Sequence, residues 1–208
     1  MSGKLTVILA DGDFPVHAYP LSLLQQAERV VCCDGAAVSL LSHGREPDLI
    51  VGDLDSLSPE FKEKLSGKIV HFTEQESNDL SKAFRCCQER GWKNITILGA
   101  TGKREDHTLG NLSLLAEYAA VLPQIKMVTD HGIFSIATGF CRYSCRPGQQ
   151  ISLIALDPGA EVTARGLKYP LEELRLTMWW QGTLNEALGD SFDLQITPGC
   201  RILVFHNY

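Results

Sequence analysis

Two carboxylates at a spacing of two, Asp53 and Asp55, follow the apolar run Leu49-Ile50-Val51. An apolar run without alternation is typical of a strand that is buried on both faces of a parallel sheet. Gly52 lets the chain leave that strand sharply, and Ser58-Pro59 predicts the start of a helix just beyond it. The two carboxylates would then lie at the carboxyl edge of a sheet, where open α/β folds bind ligands and where paired oxygens suit Mg²⁺. A solvated acidic turn before a helix is the alternative interpretation.

Acidic residues occupy the same position after other predicted strands. They are Asp11 and Asp13 after the first strand, Asp34 after the second and Asp79 after the fourth. Because the carboxyl ends of parallel strands share one edge of the sheet, these side chains are expected to converge. Their mutual repulsion destabilises the fold unless cations or hydrogen-bond donors compensate, so the cluster indicates a functional site. Asp79 and the preceding Asn78 also fit a simpler role, since both residue types cap helices.

A loop with two glycines, Gly99–His107, follows the fifth predicted strand and precedes a helix. Its glycines allow the backbone to come close to a ligand. Arg104 can hold phosphate oxygens with two parallel hydrogen bonds, and Lys103 adds a second positive charge. The loop is neither a P-loop nor a dinucleotide fingerprint, because it lacks their residue spacing. A phosphate group is the predicted ligand, and a strand-to-helix turn with a solvated arginine is the alternative.

The composition is that of a soluble globular protein with one large domain or two small ones: 208 residues, 44% of them hydrophobic. With 25 acidic against 19 basic residues the net charge is -6, which argues against binding to nucleic acid. No apolar run approaches the roughly 20 residues that span a bilayer, and no signal peptide is evident, so a cytoplasmic protein is expected. The seven cysteines lack zinc-ligand spacing and are expected to be reduced thiols.

Up to about Asp130, apolar runs alternate with amphipathic segments, which predicts βαβ units and a mainly parallel sheet. The predicted strands are Leu5–Ala10, Val30–Cys33, Leu49–Val51, Ile69–Phe72, Ile95–Leu98 and Ile125–Val128. The predicted helices are Asn78–Arg90, Leu109–Val121 and a shorter one marked by Leu57, Phe61 and Leu65.

After a boundary placed at Asp130 to Gly132, short β-like runs are broken by glycine and proline. The predicted strands are Ile151–Leu156, Leu174–Trp180, Phe192–Ile196 and Ile202–Phe205. They predict a smaller all-β domain, a sandwich or part of a barrel. The adjacent Trp179 and Trp180 are expected on opposite faces of a strand, one in the core and the other at a dimer interface.

Six sequence blocks resemble, in order and spacing, the signature blocks of the thiamine pyrophosphokinase family. They are Asp34-Gly35-Ala36, Gly52-Asp53-Leu54-Asp55-Ser56, Ser77-Asn78-Asp79, Gly102-Lys103-Arg104-Glu105-Asp106-His107 with Asn111, Thr163-Ala164-Arg165-Gly166-Leu167-Lys168-Tyr169-Pro170-Leu171, and Gly182-Thr183-Leu184-Asn185-Glu186. Each block alone is weakly specific, but six in the right order over nearly the whole chain are a specific signal. The chain departs from the family pattern at Ala36, where a second glycine is usual, and at Leu184, where serine is usual.

The resemblance implies an α/β nucleotide-binding catalytic domain at residues 1–130. It also implies a β-sandwich at residues 131–208, which binds thiamine and dimerises so that thiamine lies between two subunits. The implied reaction transfers the terminal diphosphate of ATP to the hydroxyl group of thiamine and yields thiamine diphosphate and AMP. Two alternatives remain open at this point: a diphosphotransferase for another small alcohol such as a pterin, and a nucleotide- or thiamine-binding module without turnover.

The resemblance also carries residue roles onto matching positions. The implied Mg²⁺ ligands are Asp34, Asp53, Asp55 and Asp79. The catalytic candidates are Asp79, Asp106 and Arg104, with the alcohol proton assigned to either carboxylate and the phosphate charge to the arginine. The nucleotide-binding candidates are Asp34, Gly35, Thr101, Lys103, Arg104, His107 and Asn111. The thiamine-binding candidates are Tyr169 as a stacking platform, Asn185 as a partner of the aminopyrimidine, and Thr183.

Overall fold

A computed structural model of the chain describes residues 3–53, 58–72, 74 and 76–208. The chain divides into two compact units, Met1–Asp130 and His131–Tyr208. The N-terminal unit contains a parallel sheet with helices, and the C-terminal unit contains antiparallel sheets. The predicted fold class is therefore confirmed.

The elements of the N-terminal unit alternate as the apolar periodicity predicts. The strands are β1 (Thr6–Leu9), β2 (Arg29–Cys33), β3 (Leu49–Gly52), β4 (Ile69–His71), β5 (Ile95–Leu98) and β6 (Lys126–Val128). The helices are α1 (Ala18–Gln26), α2 (Ala36–Ser42), α3 (Pro59–Lys64), α4 (Asp79–Glu89) and α5 (Glu105–Val121), with a short 3₁₀ helix at Ser66–Lys68. Helices α1 and α2 were not predicted from the sequence.

The sheet order in this unit is β6-β5-β1-β2-β3-β4, and every pairing is parallel. Strand β1 is buried along its whole length, as expected for a strand covered on both faces. Its neighbours are β2 on one side and β5 on the other, so the strand order reverses between β1 and β5. Such a switch point is where parallel α/β sheets bind ligands.

Two predicted helix starts are confirmed. The Ser58 side chain accepts a hydrogen bond from the Phe61 amide at the beginning of α3, where Pro59 occupies the first turn. Asn78 caps α4 in the same way and accepts a hydrogen bond from the Ser81 amide at 2.9 Å. The apolar face of α4 is buried as predicted, which fixes this helix against the sheet.

The C-terminal unit consists of two antiparallel sheets around one apolar core, as a sandwich requires. One sheet has the order β12-β9-β14-β7 and the other the order β11-β10-β13-β8. The strands are β7 (Gly132–Ala137), β8 (Phe140–Ser144), β9 (Gln150–Ala155), β10 (Glu161–Arg165), β11 (Leu171–Arg175), β12 (Asn185–Glu186), β13 (Ser191–Ile196) and β14 (Ile202–Asn207).

The predicted strand Leu174–Trp180 is wrong in its second half. Strand β11 ends at Arg175, and Trp179–Gly182 forms a 3₁₀ helix. The Gln181 side chain accepts a hydrogen bond from the Met178 amide at 2.8 Å, which stabilises this turn. Both tryptophans are exposed, Trp179 by 58% and Trp180 by 70%, so neither lies in the core as one was expected to.

All seven cysteines are free thiols, as predicted. Those of β2 and α4 are buried, and burial raises the pKa of Cys87 to about 12, which keeps this thiol protonated at neutral pH. Among the helices that the structure describes, none combines the length and the apolar character needed to cross a membrane.

Candidate functional site

A cleft of about 380 Å³ opens at the carboxyl ends of β1 and β5, at the switch point of the parallel sheet. The loops after these two strands form its walls, together with the ends of β2 and the start of α4. Its charged and polar lining includes Asp11, Asp34, Asn78, Asp79, Lys103, Arg104, His107 and Asn111. Residues from three of the six sequence blocks, together with Asp11, therefore meet in one place.

Backbone hydrogen bonds join the loops after β1 and β5. The Gly12 amide donates to the Gly99 carbonyl at 2.7 Å, and the Asp13 amide donates to the Thr101 carbonyl at 2.9 Å. A β-carbon on Gly12 would collide with both of these carbonyl oxygens. The two loops can approach this closely only because residue 12 is glycine. The acidic loop after β1 and the basic loop after β5 are therefore held next to each other.

Asp34 is the most enclosed carboxylate of the cleft. It is only 7% exposed, and its backbone takes the left-handed conformation, with φ at +36°, directly after β2. Among the described residues its Oδ1 atom has no hydrogen-bond partner. A buried anionic oxygen without a partner costs free energy, on the order of 1–3 kcal/mol or more, unless a ligand or an ion satisfies it.

Asp79 lies beside Asp34 at the first turn of α4. A β-carbon placed on Gly52 would lie 3.0 Å from the Asp34 β-carbon and 3.4 Å from Asp79 Oδ2, so both side chains flank the end of β3. Burial raises the pKa of Asp79, and the charges of Asp34 and Asp53 act in the same direction. Lys82, which the sequence analysis did not single out, opposes this shift through a hydrogen bond of 3.2 Å to Asp79 Oδ1.

The implied metal ligands are partly assembled. Asp34, Asp53 and Asp79 are close enough for the charges of the first two to affect the pKa of the third. In the ranges 3–53, 58–72, 74 and 76–208, no group of three or more acidic, histidine or cysteine side chains is arranged as a metal site. Asp55, the fourth implied ligand, lies outside the described residues.

Lys103 reaches across the cleft from the β5 loop to the β1 loop. Its Nζ atom donates hydrogen bonds to the Asp11 carbonyl at 2.9 Å and to Asp11 Oδ1 at 3.1 Å. Its backbone is in the left-handed region, with φ at +54°, and follows Gly102 in the same region. The contact places the positive charge of Lys103 beside the Asp11 carboxylate, in the loop after β1.

Arg104 stands just before α5 and forms a two-bond ion pair with Asp106. Its Nε donates to Asp106 Oδ1 at 3.1 Å and its terminal nitrogen donates to Oδ2 at 2.6 Å. This hydrogen-bonded arginine lowers the pKa of Asp106 to about 2. Both side chains are well exposed, so a ligand with phosphate oxygens can reach the guanidinium group.

Other nucleotide-binding candidates make contacts within the protein, which restrict the groups they can offer to a ligand. The Asn111 side chain donates to the Ala100 carbonyl at 2.8 Å and thereby ties α5 to the β5 loop. The Thr101 carbonyl accepts the loop-joining bond from Asp13, and Gly35 lies where a β-carbon would be 2.9 Å from Asp11 Oδ2. His107 lines the cleft directly.

The thiamine-binding candidates lie in the C-terminal unit. Asn185 is 5% exposed, and its oxygen accepts hydrogen bonds from the amides of Tyr169 at 3.0 Å and Glu186 at 2.9 Å. Its side-chain nitrogen donates to the Tyr169 carbonyl at 2.7 Å. Asn185 therefore fixes the backbone of Tyr169, whose ring remains 60% exposed.

Two further residues of this block have defined contacts. The Thr183 hydroxyl donates to the Trp180 carbonyl at 2.7 Å. Leu184, at the position where the family usually has serine, is 70% exposed and adopts a left-handed backbone with φ at +58°. The apolar side chain at this position is thus exposed at the surface.

The fold and the cleft define a class: a parallel α/β domain with a charged ligand cleft at its switch point, followed by an antiparallel sandwich. Comparisons with known proteins identify the family. The family model described as "Thiamin pyrophosphokinase, catalytic domain" matches residues 21–129, and the one described as "Thiamin pyrophosphokinase, substrate-binding domain" matches residues 132–205. The chain belongs to the thiamin pyrophosphokinase family, and the resemblance found in the sequence blocks is confirmed.

Individual relatives agree with this family. The chain is 30% identical over 169 residues to thiamin pyrophosphokinase 1 from Caenorhabditis elegans, covering 74% of this chain and 69% of that protein. It is 28% identical over 154 residues to thiamine pyrophosphokinase from Bacillus subtilis, covering 70% and 71% respectively. The crystal structure of that Bacillus subtilis protein superposes with a TM-score of 0.82 at 24% identity, covering 98% of this chain and 99% of that one, which establishes a shared fold.

Proposed function

We propose that this protein transfers the terminal diphosphate of ATP to the hydroxyl group of thiamine and releases AMP. One observation supports this most directly: the cleft at the switch point combines the enclosed carboxylate of Asp34, with its unpartnered oxygen, and the loop that carries Lys103 and Arg104. Carboxylates and phosphate-binding cations on facing walls suit a ligand that brings phosphates and a metal ion together. Membership of the family supplies the identity of the two substrates.

In the proposed reaction, the thiamine hydroxyl oxygen attacks the β-phosphorus of ATP. A new phosphorus–oxygen bond forms there while the bond between the β-phosphorus and the oxygen bridging to the α-phosphorus breaks. AMP leaves with the electron pair, and the hydroxyl proton passes to a carboxylate. Such reactions depend mainly on positioning and on neutralising charge, which agrees with a site built from carboxylates, Lys103 and Arg104.

Asp79 is the better candidate for accepting the proton. Its pKa is raised by burial, whereas the pKa of Asp106 is held at about 2 by Arg104. A carboxylate with a low pKa binds a proton weakly and makes a poor general base. Asp79 Oδ1 already accepts from Lys82, so Oδ2, on the side of Gly52, is the atom assigned to this role.

The donor set fits Mg²⁺. Asp34 offers a buried oxygen that no described residue satisfies, and Asp53 and Asp79 add carboxylates near it. Mg²⁺ is commonly held by one or two carboxylates while substrate phosphates and water complete its coordination, so a complete cage of protein ligands is not required. When bound, the ion would neutralise phosphate charge and make AMP a better leaving group.

We assign the thiamine contact to the C-terminal unit, where Tyr169 presents an exposed ring on a backbone fixed by Asn185. An aromatic face attracts a flat cationic heterocycle by stacking and by cation–π interaction. The hydrogen bonds of Asn185 favour a role in positioning Tyr169 over direct contact with the aminopyrimidine.

We also assign a homodimer to this protein. Large apolar side chains between residues 169 and 188 are exposed: Tyr169, Trp179 and Trp180, named here the aromatic surface, and also Met178, Leu184 and Leu188. Aromatic residues are enriched at protein interfaces, which remove them from water. A second copy of the chain is the proposed occupant.

The test is the formation of AMP from ATP with and without thiamine, Mg²⁺ or both. The proposal predicts that AMP and thiamine diphosphate form in equal amounts, and only when thiamine and Mg²⁺ are both present. Asp34→Asn should abolish product formation, and Asp190→Asn, an exposed carboxylate of the C-terminal unit, should not. AMP formed with a pterin alcohol but not with thiamine would contradict the assigned acceptor, and tight nucleotide binding without any AMP would contradict turnover.

A further inference from the structure

Lys82 is a buried lysine at the edge of the candidate cleft. Its side chain is only 4% exposed, and its Nζ atom donates a hydrogen bond to Asp79 Oδ1 at 3.2 Å. The two residues are three positions apart on α4, so one helix face brings them together. Lysine is almost never buried to this extent unless its charge is paired.

Carboxylate groups lie near this buried lysine. Its partner Asp79 lies beside Asp34, since a β-carbon on Gly52 would be 3.0 Å from the Asp34 β-carbon and 3.4 Å from Asp79 Oδ2. Burial raises the pKa of Asp79, Lys82 opposes this shift, and the charges of Asp34 and Asp53 add to it. Among the described residues, the carboxylates of Asp34, Asp53 and Asp79 thus lie near the enclosed ammonium group of Lys82. At low exposure such charges are poorly screened by water, so each of them affects the binding of any further ion.

We infer that Lys82 is an internal counter-ion of the carboxylate group Asp34, Asp53 and Asp79, and that it positions Asp79 and limits the affinity of this group for divalent cations. The inference rests on the metal site assigned under the proposed function. It adds a residue that neither the sequence blocks nor the lining of the cleft singled out.

The physical reason is competition between two kinds of positive charge. Without a ligand, the ammonium group offsets part of the carboxylate repulsion and keeps the first turn of α4 in place. A divalent cation that enters must bind beside this fixed charge, which weakens its binding. The enzyme is then expected to take up the metal mainly together with the phosphates of its substrate, because these restore the negative charge.

The test measures Mn²⁺ binding directly, by electron paramagnetic resonance of the free ion, in the absence of nucleotide. At about pH 8, far above the ordinary carboxyl pKa, differences in affinity reflect charge rather than protonation. Lys82→Gln keeps a hydrogen-bond donor but removes the charge, and it should bind Mn²⁺ about tenfold or more tightly than the wild type. Lys82→Arg keeps the charge and should remain near the wild-type affinity.

Two controls separate this effect from others. Lys68→Gln changes the net charge equally, at a surface lysine paired with Glu46 at 2.8 Å, and should leave Mn²⁺ affinity unchanged. Asp34→Asn should abolish the binding, which locates the ion. If Lys82→Gln does not fold, Lys82→Met is measured with the same expectation, since its apolar side chain fills a similar volume.

Equal Mn²⁺ affinity in the wild type and Lys82→Gln would overturn the role of Lys82 while leaving the proposed metal site standing. Absence of Mn²⁺ binding by the wild type, or binding that survives Asp34→Asn, would overturn the assigned metal site and the inference with it. The Mg²⁺ concentration that half-saturates turnover provides a second readout, and it should fall in Lys82→Gln.

Discussion

The guanidinium group of Arg104 holds both carboxylate oxygens of Asp106, at 3.1 and 2.6 Å. The pairing lowers the pKa of Asp106 to about 2, while burial raises the pKa of Asp79, which lines the cleft. The pKa values of these two aspartates are thus shifted in opposite directions. Their environments make Asp79 the better proton acceptor and Asp106 the ion-pair partner of Arg104.

Asp79→Asn and Asp106→Asn test this division. Asp79→Asn should lower kcat by about 100-fold or more, because an amide cannot accept the proton. Asp106→Asn should lower kcat by less than about tenfold, because the low pKa of Asp106 already makes it a weak base. Steady-state AMP formation at saturating ATP and thiamine is the measurement, and the two substitutions serve as controls for each other. Equal losses of kcat in the two variants would contradict the assignment of Asp79 as the proton acceptor.

Arg104→Lys tests the two-bond geometry. Lysine keeps the charge but loses the planar fork, so kcat/KM for ATP should fall by roughly 10- to 100-fold. Arg142→Lys is a matched control, because Arg142 forms the same kind of pair with Asp193 in the C-terminal unit, at 2.6 and 2.7 Å. Unchanged kcat/KM in Arg104→Lys would show that only the charge matters.

Glu74 is expected to make the stability of the folded protein depend on pH. Hydrogen bonds from Ser77 and Arg85 lower its pKa from 4.5 to about 2, so the ionised form is favoured in the folded protein. This contribution is fully present above the ordinary carboxyl pKa and is lost as the pH falls through the folded value. Glu74→Gln should therefore reduce the free energy of unfolding at pH 7 and have progressively less effect as the pH falls to 2 and below, as measured by urea denaturation.

Glu63→Gln, at an exposed position of α3, is the control for this measurement. It should leave the pH dependence of stability unchanged. A Glu74→Gln effect of the same size at neutral and strongly acidic pH would contradict the electrostatic explanation.

Trp180→Ser tests the proposed interface. Trp180 is 70% exposed in the single chain, and its replacement should shift the mass measured by light scattering from dimer to monomer. Phe140→Ser is the control, since Phe140 is 63% exposed in β8 of the same unit but lies outside the aromatic surface. A wild-type protein that is monomeric at all concentrations would contradict the homodimer.

Asn185→Ala tests whether Asn185 positions Tyr169. Three hydrogen bonds at a buried site would be lost, with a destabilisation of about 2–3 kcal/mol. The KM for thiamine should rise while the KM for ATP stays near the wild-type value. Asn94→Ala removes an exposed hydrogen bond to Gly3 in the N-terminal unit and should change neither KM.

The sequence predicts the parts of this fold that depend on local signals. Unbroken apolar runs identify the buried strands of the parallel sheet, and Ser58 and Asn78 mark helix starts because their side chains cap the backbone within three residues. The carboxylates after these strands were expected at one edge, and Asp34 and Asp79 do meet there. Parallel pairing makes this convergence predictable from strand ends alone.

The errors concern features for which the apolar pattern is misleading or too short. Leu174, Leu176, Met178 and Trp180 alternate as in a strand, but the bond from Met178 to Gln181 turns the chain after Arg175. Helix α2 begins at Ala36, two residues after the left-handed residue Asp34, and only seven residues form it, so its periodicity is too short to detect. The burial of Lys82 follows from packing, although its position three residues after Asp79 was a visible sign of an ion pair.

The bonds from Gly12 to Gly99 and from Asp13 to Thr101 also bear on the order of events during synthesis. A nascent chain that ends before β5 contains Asp34 and Asp79 but neither Lys103 nor Arg104. On the proposed function, such a fragment has carboxylates of the cleft but not its phosphate-binding cations. Both cations become available together, when β5 pairs with β1 and the loop after β5 joins the loop after β1.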